Sequence, residues 1–347
     1  MNLFKKILNK FPLTFLIFLI ILFSFPFYLS DFRLAIAGKF ICYSILAIGL
    51  DLLWGYTGLL SLGHGVFFGI GAYCMGMYLK LQSESLPDFM SWSGLEKLPF
   101  FWMPFVDFSF TFAMIIILPA LLAILIGYPV FRSGIKEVYF TILSQALSLI
   151  VTILLIGQQP YTGGTNGLTN FQEILGFPIN SRITKVFLYY ISFLILIVTF
   201  IFASWLVKTK TGKILIAIRD GENRLKYLGY NPVGFKLMVY IISAILAGIS
   251  GALFVTQVGI ISPSLVSILP SVEMAMWVAI GGKGTIVGPI FGTFVVNGAK
   301  MFLSENFPET WLYFLGILFI IVVFVFPGGL YSIGNLLKMK SKFFRRK

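Results

Sequence analysis

The chain has 347 residues, of which 58% are hydrophobic and only 11% charged, with a formal net charge of +13. A soluble domain carries about 25% charged residues, so this composition excludes a soluble globular protein and places the chain in a membrane. The basic residues concentrate at the two ends and in one internal stretch, where they set topology and meet anionic lipid headgroups. That distribution excludes a nucleic-acid-binding role.

A crossing needs about 20 mostly apolar residues. Residues 1–30 open with Lys5, Lys6 and Lys10 and continue as an apolar run. Bulky Phe25-Pro26-Phe27-Tyr28 stands where a cleavage site would need small residues, so this segment reads as a retained first span over 12–30. Spans follow over 38–54 and 59–80, with Asp51 expected at the inner interface. Gly55, Gly58, Gly63, Gly65, Gly69 and Gly71 crowd the run GYTGLLSLGHGVFFGIGAY, 55–73. Glycine in a span lets backbones approach or a helix unwind. Ser61 and His64 are polar at membrane depth, so they should face protein or a water-filled path.

Glu84, Asp88, Glu96 and Asp107 against one Lys97 put 81–109 outside. Spans over 110–130 and 138–157 flank an inner turn carrying Arg132 and Lys136. A second outer loop, 158–184, contains YTGGTNGLTN at 161–170. Its hydroxyls, amides and bare backbone either line a vestibule, meet a substrate-delivery protein, or simply form turns.

After a span over 185–207 comes the basic stretch 208–236, with seven Lys/Arg against Asp220 and Glu222. Basic loops lie on the cytoplasmic side. This one is too long for a tight turn, and its middle can form a helix along the membrane face. It is either a docking surface for a cytoplasmic partner or a solvated loop that sets topology.

A span over 237–258 precedes an apolar stretch, 269–303, broken by Gly281-Gly282-Lys283-Gly284-Thr285. It reads as two shorter crossings with Lys283 at the inner turn, or else as a re-entrant loop. Gly284, Gly288 and Gly292 recur every four residues as a close-packing stripe. Glu273 is expected at the outer interface, as a structural cap or else as a substrate contact, and Lys300 as a lysine snorkelling to that interface. A last span over 311–327 leads to the tail MKSKFFRRK, an inner-leaflet anchor. The fold class is therefore an all-α integral membrane protein of ten crossings, or eight with a re-entrant loop, with both termini cytoplasmic.

No phosphate-binding loop is present: Trp277 stands five residues before Gly282-Lys283, and Val207 before Gly212-Lys213, where that motif needs glycine. Cys42 and Cys74 lie in apolar segments without a C-x-x-C spacing, so neither a disulfide nor a metal site is expected.

In order along the chain, GYTGLLSLGHGVFFGIGAY, TGGTNGLTN, AIRDGENRLKYLGYN, SAILAGISGAL and WVAIGGKGTIVGP resemble the branched-chain amino-acid permease family of ABC importers. RLKYLGY, TQVGIISPS and NFPETWLYFLGILFIIVVFVFPGGL are most similar to the larger of the two urea-importer permeases. The resemblance spans about residues 35–330. It implies a bacterial plasma-membrane permease with a second homologous permease, two ATPase subunits and an extracytoplasmic binding protein as partners. It implies no cofactor in this chain, since ATP and Mg would be bound by the ATPases, and no enzymatic activity.

The family's cytoplasmic motif, Glu-Ala-Ala, three residues, Gly, falls on Glu222 and Gly229. Asn223-Arg224 or Arg224-Leu225 replaces the alanines, so the register is open. On this resemblance 219–229 would be a coupling helix seated in an ATPase groove. Asp220 and Glu222 suit its N-terminal dipole, and Gly229 would end it in a left-handed turn. Leu225 and Leu228 would supply apolar contact, and Arg219 and Arg224 would meet acidic partner side chains.

Urea is small, planar and neutral, so its path needs hydroxyls, carbonyls and amides. Tyr56, Ser61, His64, Gln257 and Asn297 are the candidates. His64 is either a proton or ligand group or a neutral imidazole that ties a broken helix together. A branched-chain amino acid is the alternative cargo, and its zwitterion would favour charged groups along the path. A stand-alone channel or secondary transporter is the rival class, and the basic docking loop argues against it.

Overall fold

The computed structural model describes residues 13–308 except 84 and 136, with isolated positions between 310 and 329. The expected span over 311–327 and both basic ends lie outside the described residues, apart from those isolated positions. In chain order the longer helices are α1 (Leu13–Tyr28), α2 (Asp31–Thr57), α3 (His64–Ser83), α5 (Phe108–Arg132), α6 (Glu137–Gly157), α8 (Arg182–Lys208), α9 (Lys210–Tyr227), α10 (Pro232–Val258), α11 (Ile268–Gly281) and α12 (Val287–Asn306). Two short helices, α4 (Asp88–Trp92) and α7 (Gln159–Thr162), lie in the connecting loops.

Local chemistry sets several helix ends. Asp107 accepts the Phe110 N–H at 2.8 Å to start α5, Ser181 accepts that of Thr184 at 3.2 Å to start α8, and Asn231 accepts that of Val233 at 3.0 Å ahead of Pro232 in α10. Side-chain oxygens here satisfy N–H groups that have no partner within the helix. Gly58 closes α2 in the left-handed region, at φ 83°.

Among the described residues, α2, α5, α6, α8 and α10 are long and apolar enough to cross a membrane. Helices α2 and α10 are mostly buried and form the centre, while α5 and α6 are mostly exposed. Apolar exposure on this scale, including Leu121, Leu125, Ile150 and Ile153, suits a surface facing lipid or another membrane subunit.

The centre is held by bare backbone. Helix α3 crosses α10 where Gly71 meets the Gly248 carbonyl and Gly251 meets the Phe68 carbonyl, and a Cβ at either glycine would collide with that backbone. Small residues allow this approach between membrane helices. Helices α11 and α12 use the same device: Gly281 packs on the Gly288 carbonyl, and Gly292 on that of Trp277.

Two faces can be told apart. On one, Arg219 of α9 reaches the end of α2, Glu137 of α6 lies by Gly58, and Lys283 of the α11–α12 turn lies over Trp54. On the other, Arg182 pairs with Asp31 and the connecting loops assemble. There β1 (Leu168–Thr169) pairs antiparallel with β4 (Ile260–Ile261), and β2 (Glu173–Ile174) with β3 (Phe177–Pro178). These ribbons qualify the all-α expectation. The run 161–170 is not a loose loop, since it is clasped to the stretch leading into α11.

Candidate functional site

The middle of the basic stretch forms the expected helix, and a longer one. Helix α9 fills 210–227 but is broken at Gly221, whose φ and ψ are 175° and 74°. Its second arm begins at Glu222, so a continuous helix over 219–229 does not form. The Glu222 carboxylate pairs with Lys226 at 3.1 Å and with Lys236 at the start of α10. Partial burial opposes ionisation of Glu222, but the hydrogen bonds and charges of Lys236 and Lys226 outweigh it and hold the carboxyl below its ordinary range.

The arm's outward side chains match those expected only in part. Leu225 is buried within the chain, whereas Tyr227 is 91% and Leu228 73% exposed, with Tyr230 and Arg224 exposed beside them. Leu225 lies within the helical arm, whereas Leu228 follows its last residue, Tyr227, as the cap. Gly229 takes φ 82° and turns the chain toward α10.

Arg219 is exposed, yet it donates to the Gly55 carbonyl at 2.7 Å and to Asp220 at 2.9 Å, so it ties α9 to the end of α2. Beside it sits the α11–α12 turn. Asp51 is fully buried, not interfacial, because its carboxylate accepts the N–H groups of Gly284 at 2.6 Å and Ile286 at 3.1 Å. Tyr56 donates to the Gly284 carbonyl at 3.0 Å. The turn contains left-handed Gly282 and Gly284, and Ile286 at φ 55°, with the Val287 N–H closing on Thr285 at 2.6 Å. That is a three-residue turn of the strained kind. Gly284 therefore belongs to the turn, and only Gly288 and Gly292 of the expected stripe lie on α12.

The glycine-rich segment 55–73 is not one helix. Residues 58–63 run non-helically along α6, and α3 begins at His64. His64 Nε2 lies 2.6 Å from the Ser243 hydroxyl. Ser243 is the twelfth residue of α10, about 16 Å along its axis, so α3 starts deep inside the protein. The neighbouring groups are hydroxyls. Thr141 donates to the Leu60 carbonyl, Ser144 accepts the Leu62 N–H, Ser148 lies 3.5 Å from Ser271, and Ser271 accepts the Gly65 N–H. Gly63 packs on the Ser144 backbone and Gly65 on that of Val266. The α6 residues 141, 144 and 148 recur at helical spacing on one face, a signal present in the sequence.

Of the five candidate path residues, the structure brings only Ser61 and His64 to this polar interior. Ser61 is buried and accepts the Gly63 N–H at 3.3 Å. His64 Nδ1 is buried without a hydrogen-bond partner among the described residues. Tyr56 serves the turn, Gln257 donates to Ser192 of α8 at 3.1 Å, and Asn297 donates within α12 to Thr293. Glu273 lies inside α11 and does not cap it. Both Glu273 oxygens lie 2.8 Å from Lys300 Nζ, joining α11 to α12.

Residues 32–323 match the family described as branched-chain amino acid transport system / permease component. The chain belongs to that family. Among relatives, the high-affinity branched-chain amino acid transport system permease protein LivM of Salmonella typhimurium is 26% identical over 93% of this chain and 76% of its own length. LivM of Escherichia coli is 27% identical over 90% and 73%. A probable LivM of Methanocaldococcus jannaschii is 25% identical over 83% and 90%. No solved structure matches the chain. The chain is thus a multi-pass transport permease, not an enzyme.

Proposed function

We propose that this permease is one membrane subunit of an ATP-driven importer in the bacterial plasma membrane. A second homologous permease, two ATPase subunits and an extracytoplasmic binding protein complete it, and ATP and Mg bind only to the ATPases. The observation that carries this reading is the second arm of α9. It is pinned to α10 by Glu222 and Lys236 and presents Tyr227, Leu228 and Tyr230 outward, uncovered by the described residues. An ATPase groove covers this arm, so the α9 face is cytoplasmic, and both termini share it when ten crossings are counted. Closure of the ATPases pushes the arm, Arg219 conveys the push to the end of α2, and the Asp51-bound turn carries it to α11 and α12.

For the cargo, urea follows from the segments RLKYLGY and TQVGIISPS, and the hydroxyl-lined interior suits a neutral solute. A second reading, a branched-chain amino acid, is favoured by ionisable side chains at membrane depth, Glu273 and Lys300 among them. The test is uptake of labelled urea and labelled leucine by cells with and without this chain, before and after ATP depletion. Uptake that depends on this chain and survives ATP depletion would overturn the importer reading.

A further inference from the structure

Away from the hydroxyl-lined interior, a cavity of about 420 Å³ lies between α3, α5 and α6. Among the described residues no charged side chain lines it, and Tyr73 supplies the one hydroxyl. That hydroxyl is buried without a hydrogen-bond partner among the described residues. The Trp102 indole N–H in the same wall is spent on the Tyr161 carbonyl at 3.0 Å. A polar solute entering here would give up its water for almost no hydrogen bonds, which is costly. The cavity therefore suits an apolar occupant.

Its opening, its depth and its roof say which one. Met114 and Leu118 of α5 and Val151 and Leu155 of α6 line the cavity yet are only partly buried, and Leu121 and Leu154 beside them are exposed. The cavity is thus continuous with the apolar outer surface of α5 and α6. Its wall runs along α5 from Phe110 to Leu118, about 12 Å, a little less than half of a hydrocarbon core about 30 Å thick. The roof is the loop between α3 and α5. Trp102 and Phe105 close the cavity from that side, while Trp92, Phe100 and Met103 of the same loop are exposed. Aromatic rings collect at the membrane–water interface, so the cavity hangs just below the headgroups of the leaflet away from α9.

We propose that this cavity seats one acyl chain of a phospholipid from that leaflet. The headgroup stays outside at the level of Phe100 and Met103, and the chain enters between α5 and α6. Held there, it wedges both helices against α3, the helix headed by His64. The seat is the same whether urea or an amino acid is carried.

The test uses the complete importer in nanodiscs containing a phospholipid with a photoactivatable diazirine in its acyl chain, followed by peptide mapping. Wild type should be labelled at 101–118 and 151–155 more strongly than at the open α5 face around Leu125, which bulk lipid also bathes. Val151→Trp fills the cavity from α6, and Leu155→Trp is the second variant. Displacing even two methylenes of the chain predicts at least about a tenfold fall in cavity labelling, with labelling at Leu125 unchanged. Size-exclusion profiles of both variants check assembly. Equal label density at the cavity and at Leu125 would overturn the seat, as would cavity labelling that neither tryptophan lowers in an assembled importer. Absence of label from the cavity walls in wild type would also overturn it, and would assign the opening to a neighbouring membrane subunit. Where neither variant assembles, the wild-type map alone decides.

Discussion

Replacing Asp51 tests the structural logic of the α11–α12 turn. Its two carboxylate oxygens accept the Gly284 N–H at 2.6 Å and the Ile286 N–H at 3.1 Å, and the residue is fully buried. Asp51→Ala leaves both amides without an acceptor, and each such loss costs about 1–3 kcal/mol. The sum, about 2–6 kcal/mol, works against a turn already strained at Ile286. Asp51→Asn keeps one acceptor oxygen and turns an NH2 toward the other amide, so roughly half the loss is expected. Hydrogen exchange across 282–288 in the purified protein reads the effect directly. At tenfold per 1.4 kcal/mol, Asp51→Ala should speed exchange there by roughly thirtyfold to twenty-thousandfold, with Asp51→Asn between it and wild type. Transport should fall in the same order, because the turn is the proposed link from α9 to α11 and α12. Unchanged exchange at 284 and 286 in Asp51→Ala would refute the claim that this carboxylate holds the turn.

Three further outcomes are expected. Gly71→Val should destabilise the bundle, since its side chain meets the Gly248 backbone. Overpacking of this kind costs about 1–3 kcal/mol or more, seen as a lower melting temperature in detergent, whereas Gly298→Ala, with open space around it, should not. Tyr227→Ala with Leu228→Ala should leave that melting temperature unchanged, because both side chains are exposed, yet abolish co-purification of the ATPases. Glu222 is held below the ordinary carboxylate range by Lys236 and Lys226. Its anchoring contribution is therefore present above the unfolded value and disappears as pH falls through the folded one. Hydrogen exchange over 222–230 should accelerate below the ordinary carboxylate range, and Glu222→Gln should show that faster exchange already at neutral pH.

The spans were legible because burial in lipid demands long apolar runs, and α5, α6, α8 and α10 begin and end within a few residues of the expected limits. The start of α3 was not. Residues 58–63 are as apolar as a helix, and what unwinds them is hydrogen bonding to Thr141 and Ser144 more than 80 residues away. Sequence spacing also could not orient the second arm of α9. Leu225 and Leu228 stand three apart like helical neighbours, but Leu225 is buried within the arm while Leu228 is the cap beyond its last residue, Tyr227, and is exposed. Asp51 looked interfacial by its distance from the span's end. Its partners are the amides of a turn 233 residues onward, which no local pattern records.

The crossing of α3 and α10 at Gly71, Gly248 and Gly251 has a mechanical consequence. Where main chain touches main chain, no side chain can change rotamer to absorb a displacement, so the two helices have no slack against each other. They must travel as one piece, and a shove at the start of α10 is passed on to His64 and the head of α3. Motion that opens or shuts a passage has to occur at the softer seams, where Phe, Leu and Ile side chains separate the backbones, such as α1 against α8 and α12. Stiffening those seams, rather than the glycine crossing, is the way to arrest the cycle in one state.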